Sequence, residues 1–296
     1  MKVLVTGVKG QLGFDVVNKL EKRGHETIGV DIDEMDITDE TSVKRVIAKA
    51  EPDAVIHCAA WTAVDAAEEE ENRQKVMEVN ATGTKYIAEA CKEHDCKMVY
   101  ISTDYVFDGQ GMKPWEPEDE CAPQNVYGQS KYEGEKAVQS LLDKYYIVRI
   151  AWVFGINGKN FIRTMLNLGK SHDRLTVVSD QIGTPTYTYD LARLLADMAE
   201  TDKYGVYHAT NEGGYISWYD FTVEIMKQAG KTDERYRKVE VVPVGSDQYP
   251  AKAKRPSNSR MDKSKLTEKG FEPLPDWRDA VARYIDEITE KETGNK

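Results

Sequence analysis

An α/β fold, with an open doubly wound parallel sheet and a smaller C-terminal lobe, is what this sequence predicts. Three observations carry that prediction. Short apolar runs alternate with amphipathic ones through the first 150 residues, a pattern that builds parallel sheets with helices on both faces. Glycines cluster in the turn between the first two runs. The alternation then loosens after Ala151.

Taken in order, Lys2–Thr6 reads as a buried strand. Residues 11–23 read as a helix, because Leu12, Val16, Val17 and Leu20 recur at helical spacing. Glu26–Val30 is a second strand. Residues 41–50 form a helix with Val43, Val46 and Ile47 on one face. Ala54–His57 is a third strand and runs into the small residues Ala59 and Ala60. A longer helix is expected over 76–92, a fourth strand over 97–102, a helix over 126–144 and a strand over 146–150.

Beyond Ala151, helices are expected at Phe161–Gly169, 189–200, 218–228 and 277–290, with short strands at 175–178, 206–208 and Glu240–Val244. The polar stretch 246–260 carries Pro250 and Pro256 and reads as a loop. Residues 291–296 are expected to fray. The predicted division is a cofactor-binding sheet domain over 1–150 and a mainly substrate-binding lobe over 151–296, some segments of which are free to return to the sheet. Such a lobe would close over the C-terminal edge of the strands, where open α/β sheets bind ligands.

The 296 residues are 40% hydrophobic and 31% charged, which is the composition of a globular chain. A net charge of −11 repels phosphate backbones and argues against a nucleic-acid partner. An anionic ligand therefore needs a local positive site. No apolar run approaches a membrane span, and Met1–Gly7 reads as a strand rather than the apolar region of a leader. Cys58, Cys91, Cys96 and Cys121 make no C-x-x-C pair and no zinc spacing. They are expected to be reduced thiols in a cytoplasm, and no metal ligand is assigned.

Thr6-Gly7-Val8-Lys9-Gly10-Gln11-Leu12-Gly13 joins the first strand to the first helix. Glycine is needed where the turn is tight, where backbone meets a pyrophosphate and where helix packs on strand. The helix N-terminus then offers N–H groups to the phosphates. This loop selects an open Rossmann-type sheet over a closed eight-fold barrel. Asp31 follows the second strand, where a carboxylate accepts the adenosine ribose hydroxyls. It would repel a 2′-phosphate, which favours NADH, though Asp31-Ile32-Asp33 also suits a turn. Asp36 and Ile37 are compatible with two roles, reaching the adenine or starting the next helix. Ala59, Ala60, Trp61 and Thr62 end the third strand, where small residues let a cofactor cross the sheet edge.

Tyr127 and Lys131 stand four apart at the start of a helix, hence on one face. A free tyrosine titrates near pH 10, too high for acid–base work at neutrality. A nearby ammonium stabilises the phenolate, and Lys131 has a second plausible task in holding the nicotinamide ribose. The spacing alone is cheap, and a packed tyrosine beside a solvated lysine would look the same. Thr103 supplies context. It lies at the end of the fourth strand, on the sheet edge that carries the glycine loop, with a hydroxyl able to bond the oxygen that Tyr127 protonates.

Gly7, Gly10, Gly13, Thr103, Tyr127 and Lys131 together resemble the extended short-chain dehydrogenases/reductases. Four further segments, 58–65, 102–109, 180–186 and 255–259, resemble the dTDP-4-dehydrorhamnose reductases within that family. The resemblance spans nearly the whole chain. It implies an oxidoreductase of nucleotide-sugar and polysaccharide biosynthesis, in which NADPH or NADH reduces the C4 ketone of dTDP-4-dehydro-β-L-rhamnose and Tyr127 donates the proton. It implies cofactor contacts at Gly7, Gly10, Gln11, Leu12, Gly13, Asp31, Asp36, Ile37, Ala60, Trp61, Thr62, Tyr127 and Lys131, with Trp61 contributing backbone. Sugar contacts are implied at Thr103, Asp104 and Trp152. The indole of Trp152 offers an apolar face and one N–H to a sugar ring. Asn160, Arg163 and Arg255 are candidates for the diphosphate. Magnesium is used by some relatives, with no site assigned here.

Two other readings stay open. The same motifs serve regulatory subunits of the methionine adenosyltransferase type, and other sugar-nucleotide reductases or epimerases. The acidic run 65–71 reads as the solvated first turn of a helix. As to assembly, monomer and homodimer are both compatible. The 126–144 helix carries a polar outer face of Gln129, Glu133, Lys136, Ser140 and Asp143, a poor buried interface.

Overall fold

The computed structural model describes residues 1–294, with side chains as far as Lys291. The chain opens with β1 (Lys2–Thr6), α1 (Gln11–Lys22), β2 (Glu26–Val30), α2 (Glu40–Ala50) and β3 (Ala54–His57). α3 (Glu70–Met77) passes through a π turn, Glu78–Thr82, into α4 (Gly83–Glu93). β4 (Lys97–Thr103), α5 (Val126–Leu141) and β5 (Tyr145–Ile150) follow. Next come β6 (Val153–Phe154), α6 (Phe161–Gly169), β7 (Arg174–Val178), β8 (Ile182–Gly183), β9 (Thr186–Tyr187) and α7 (Thr188–Ala199). The chain ends with β10 (Gly205–His208), β11 (Ile216–Ser217), α8 (Trp218–Ala229), β12 (Glu240–Val244), α9 (Ser264–Glu268) and α10 (Trp277–Gly294).

Six strands pair in parallel in the order β2-β1-β3-β4-β5-β10. Successive side chains on a strand face opposite sides, and β1 shows the consequence. Val3 and Val5 pack with Leu12, Val16 and Leu20 of α1 and with Leu191, Leu194 and Leu195 of α7. Leu4 points the other way, into a layer with Val43 and Ile47 of α2, Ile87 of α4 and Val138 of α5. The strand order reverses between β1 and β3, the kind of crevice where such sheets bind ligands.

A second core lies outside the sheet. Phe154, Tyr187, Phe221, Trp277 and Tyr284 gather α6, α8 and α10 around it. Residues beyond 151 thus serve both bodies, since β10 completes the large sheet and α7 covers one face.

The main elements match the sequence-predicted ones, with informative differences at their ends. α5 stops at Leu141, short of 144, because Leu142 turns extended (φ −122°, ψ 143°). The apolar pattern runs on past that point without a glycine or proline to mark it. The helix expected over 76–92 begins at Glu70 and carries the π turn. Residues 291–294 continue α10 instead of fraying, and 295–296 lie outside the described residues. The two-residue strands β6, β8, β9 and β11 have no legible period and went unpredicted. The acidic run departs from a simple solvated turn. Asp65 receives the Arg255 guanidinium and the Ala253 N–H, Glu69 receives Lys252, and Glu68 accepts the Val126 N–H at 2.7 Å. It clasps the 246–260 loop to the start of α5.

Candidate active site

The glycine loop is shaped by close approach. Gly7 sits at φ +70°, a region that favours glycine, and a Cβ there would lie 2.7 Å from the Ala59 nitrogen. A Cβ on Gly13 would lie 2.3 Å from the Gly7 carbonyl oxygen. α1 starts without a side-chain cap and without an acidic residue in its first turn. Its N-terminal N–H groups are left to a ligand such as a pyrophosphate. The second body braces this loop. Asn157 Nδ2 donates to the Lys9 carbonyl at 2.9 Å, and Gln11 Oε1 accepts from the Gly155 N–H at 2.9 Å and from Asn160 Nδ2 at 3.0 Å.

Asp31 ends β2 with one carboxylate oxygen on the Lys9 N–H and the other on the Ile32 N–H, both at 2.9 Å. The Lys9 ammonium pairs with Asp33. Asp36 accepts from the Thr38 hydroxyl and N–H, which hold its carboxyl below the usual range. Asp39 caps α2, accepting the Thr41 N–H at 2.9 Å. Helix initiation therefore falls to Asp39, and Asp36 faces the cleft.

One cleft of about 710 Å³ runs along the C-terminal edge of the sheet. Every residue assigned to cofactor, sugar or catalysis lines it, with the exception of Trp61. The Trp61 indole turns onto the Ala63 carbonyl, while its backbone is held by Asn80, whose amide oxygen takes the Trp61 N–H at 2.8 Å. Asn80 Nδ2 also reaches Ser130 Oγ at 2.9 Å, and Ser130 Oγ donates to the Tyr127 carbonyl at 2.7 Å. The π turn thereby ties the third strand's end to the start of α5. Asn80 carries no local signal and was missed. Lys75 and Lys159 also line the cleft and bring local positive charge of the kind an anionic ligand requires on an acidic protein.

Thr103, Tyr127 and Lys131 meet in this cleft. Asn125 caps α5 by accepting the Gly128 N–H at 2.7 Å, which fixes Tyr127 in the first turn. Tyr127 meets Tyr105 edge-on at 5.5 Å. Burial pushes the Tyr127 phenol up, and a hydrogen bond with Thr103 offsets part of that. The lowering expected from Lys131 is not among the influences on this group, and the phenol holds its proton at neutral pH. Burial pushes Lys131 down to about 7, against the pull of Glu135. Its ammonium lies 4.2 Å from the Tyr100 ring centre. Glu135 stands one turn further along α5 and makes two bonds to Arg149, at 2.7 and 2.9 Å, in a fully buried pair.

Asp104 is 3% exposed. Its carboxylate accepts the Thr103 hydroxyl at 2.9 Å on one oxygen and the Ser259 hydroxyl at 2.5 Å on the other. Trp152 adopts φ +51°, strained for an aromatic residue. It stacks on Trp218 at 3.7 Å and packs against Gly183. The three diphosphate candidates are employed elsewhere. Asn160 caps α6, Arg163 bonds the Ile156 carbonyl, and Arg255 bonds Tyr105 and Asp65. None of them lines the cleft. Among the described residues, no group of three or more His, Cys, Asp or Glu side chains converges as a metal site.

Fold and cleft together define a nicotinamide-dependent oxidoreductase built on a Rossmann-type sheet. Comparison with known proteins narrows the class. The family profile described as RmlD substrate binding domain matches residues 1–290. The chain is 40% identical over 288 residues to a dTDP-4-dehydrorhamnose reductase of Aggregatibacter actinomycetemcomitans, covering 95% of this chain and 97% of the relative. A crystal structure of a dTDP-4-dehydrorhamnose reductase from Clostridium acetobutylicum superposes with a TM-score of 0.92 at 42% identity, covering 98% of this chain and 100% of that one. The Bacillus anthracis reductase, solved in complex with NADP, gives a TM-score of 0.91 at 38% identity, covering 97% and 99%. The chain belongs to the dTDP-4-dehydrorhamnose reductase family.

Proposed function

We propose that this protein reduces the C4 ketone of dTDP-4-dehydro-β-L-rhamnose to give dTDP-L-rhamnose, using NADH or NADPH. One observation carries the reading. Thr103, Tyr127 and Lys131 line the same cleft as a glycine loop whose Cβ positions are filled by neighbouring backbone. When bound, the reduced nicotinamide supplies hydride to the ketone carbon. Tyr127 holds a proton at neutral pH and gives it to the ketone oxygen. Lys131 retains or releases a proton near pH 7, so it is suited both to bonding the nicotinamide ribose and to recharging Tyr127. Thr103 bonds the same oxygen and fixes its direction. Trp152 offers its ring face to the sugar.

The glycine loop, the free N-terminus of α1 and Asp31 hold the dinucleotide, with Gln11, Leu12, Asp36, Ile37, Ala60, Thr62 and the Trp61 backbone along its length. Asp31 presents negative charge where a 2′-phosphate would sit, and Lys9 is engaged by Asp33. NADH is therefore the better cofactor, and NADPH is accepted. Residues 1–150 with β10 and α7 form the cofactor body, and the second core carries the sugar side. The reaction is placed in the cytoplasm, where the four free cysteines stay reduced.

The test is to supply dTDP-4-dehydrorhamnose with NADH, then with NADPH, and to identify the sugar formed. Oxidation of NADH with formation of dTDP-L-rhamnose is expected. An epimerised sugar with no net loss of NADH absorbance would replace the reading with an epimerase.

A further inference from the structure

Asp104 was expected only as a sugar contact, but its surroundings suit another task. The carboxyl is buried behind Thr103, and its two oxygens are taken by hydroxyls from opposite directions. Ser259 comes from 155 residues away. It is 2% exposed and is pinned there by its own N–H, which donates to the Ile182 carbonyl at 2.7 Å. The result is a chain of hydroxyl–carboxylate bonds from Ser259 through Asp104 to Thr103, beside Tyr127 in the same cleft.

A threonine hydroxyl has one proton to give. While Asp104 is ionised, that proton is committed to the carboxylate and is not offered to a substrate oxygen. A protonated Asp104 reverses the bond. It donates to the Thr103 oxygen and frees the Thr103 proton for the cleft. We propose that Asp104 is a positioning residue whose proton sets the direction of the Thr103 hydroxyl, with Ser259 tuning how readily that proton is held. The proposal rests on the reductase reading above, in which the Thr103 hydroxyl meets the ketone oxygen. No bond to carbon changes, and the proton on Asp104 comes from solvent.

Electrostatics agree with the geometry. Burial pushes the Asp104 carboxyl up to about 6, against the bonds from Ser259 and Thr103. A sugar seated over Thr103 would exclude more water and push it higher. The titratable groups facing Asp104 are Tyr127 from α5 and Tyr105 from its own loop. Arg255 and Asp65 lie beyond Tyr105.

The test pairs two measurements on Asp104→Asn and Ser259→Ala. The first is an infrared pH titration of the protonated-carboxyl C=O stretch in the protein alone, which needs no turnover. The second is the pH profile of kcat for the keto sugar. In Asp104→Asn, the amide donates permanently, so one carboxyl component and the matching alkaline fall of kcat should both disappear. In Ser259→Ala, the ionised carboxyl loses a donor, so both should move up by about one pH unit. Asp15, also raised to about 6, gives a second band that neither variant moves. A limb set by Lys131 stays in place as well. Unchanged bands in Asp104→Asn would overturn the proposal, as would a kcat limb that stays put in Ser259→Ala. Bands that shift as expected in a protein inert toward the keto sugar would overturn the reductase reading and leave the proton on Asp104 established.

Discussion

The two ends of the cleft are built in opposite ways. At the cofactor end, Gly7, Gly10, Gly13 and Asp31 lie within one strand–helix–strand unit, and recognition rests mostly on backbone and on the absence of Cβ atoms. At the substrate end, Thr103 and Asp104, Tyr127, Trp152 and Ser259 come from four separate segments, and a side-chain bond joins Asp104 to Ser259 across 155 residues. The first end depends on space and the second on where protons point. Substitutions should therefore fail differently. Adding an atom should damage the cofactor end, and removing a polar atom should damage the substrate end.

The largest effect should come from the substrate end. Tyr127→Phe removes one oxygen and leaves the ring in place against Tyr105. Turnover should fall about a thousandfold, within the range for losing a general acid. NADH affinity, measured by fluorescence titration, should change less than about threefold. Equal losses in both would erase the distinction between the ends.

Gly13→Ala tests the other end. The new Cβ would meet the Gly7 carbonyl at 2.3 Å and Val8 Cα at 2.9 Å, backbone atoms that yield only if the loop moves. The Kd for NADH should rise about a hundredfold, an overpacking cost of roughly 2–3 kcal/mol. Calorimetry reads this directly. Unaltered NADH binding would show that the loop has slack and that close packing is not what recognises the cofactor.

The same contrast decides what the sequence made legible. Gly7, Asp31 and the Tyr127/Lys131 spacing are local, and local periodicity and turn chemistry suffice to find them. Arg255 pairs with Asp65, 190 residues away, a partner beyond the reach of any spacing rule. Asn160 caps α6, a role that is local. An asparagine before an apolar helix is a cap signal, legible from the sequence. Ser259 sat inside a recognised segment, but nothing along the chain shows that it faces Asp104. The large sheet was legible because each strand and helix is long enough to show a period. The two-residue strands that knit segments 151–154, 180–187 and 216–217 together are too short for one.

Two buried carboxyls, one at the substrate end of the cleft and one between α1 and α7, can be compared by pH. Asp15 on α1 bonds the Thr188 hydroxyl, and Asp104 bonds Thr103 and Ser259. Burial raises both to about 6 from an ordinary 3.8. The folded state therefore binds protons more tightly than the unfolded chain. The contribution of these two carboxyls should be fully present below about pH 4, fall as pH rises through 6 and level off above, while His57, held neutral by burial, changes stability in the opposite direction over the same range. Asp15→Asn and Asp104→Asn should each remove part of that fall, at most about 3 kcal/mol for a displacement of this size. Urea unfolding at pH 4, 5, 6 and 7 measures it. A fall that survives both substitutions would place the responsible groups elsewhere.

The smallest effect sharpens the cofactor end further. Asp31 is the one side chain there whose charge, and not whose size, should matter. Both of its oxygens already hold backbone N–H groups of Lys9 and Ile32. Asp31→Asn keeps the volume and one acceptor but removes the charge that opposes a 2′-phosphate. The preference for NADH over NADPH, as the ratio of kcat/KM values, should fall about tenfold, or roughly 1.4 kcal/mol. Screening by salt should shrink the difference in the unsubstituted protein, because the charge lies at an open rim. A ratio indifferent to both the substitution and salt would mean that the ribose is read by shape. The cofactor end would then be steric throughout, and the contrast with the substrate end complete.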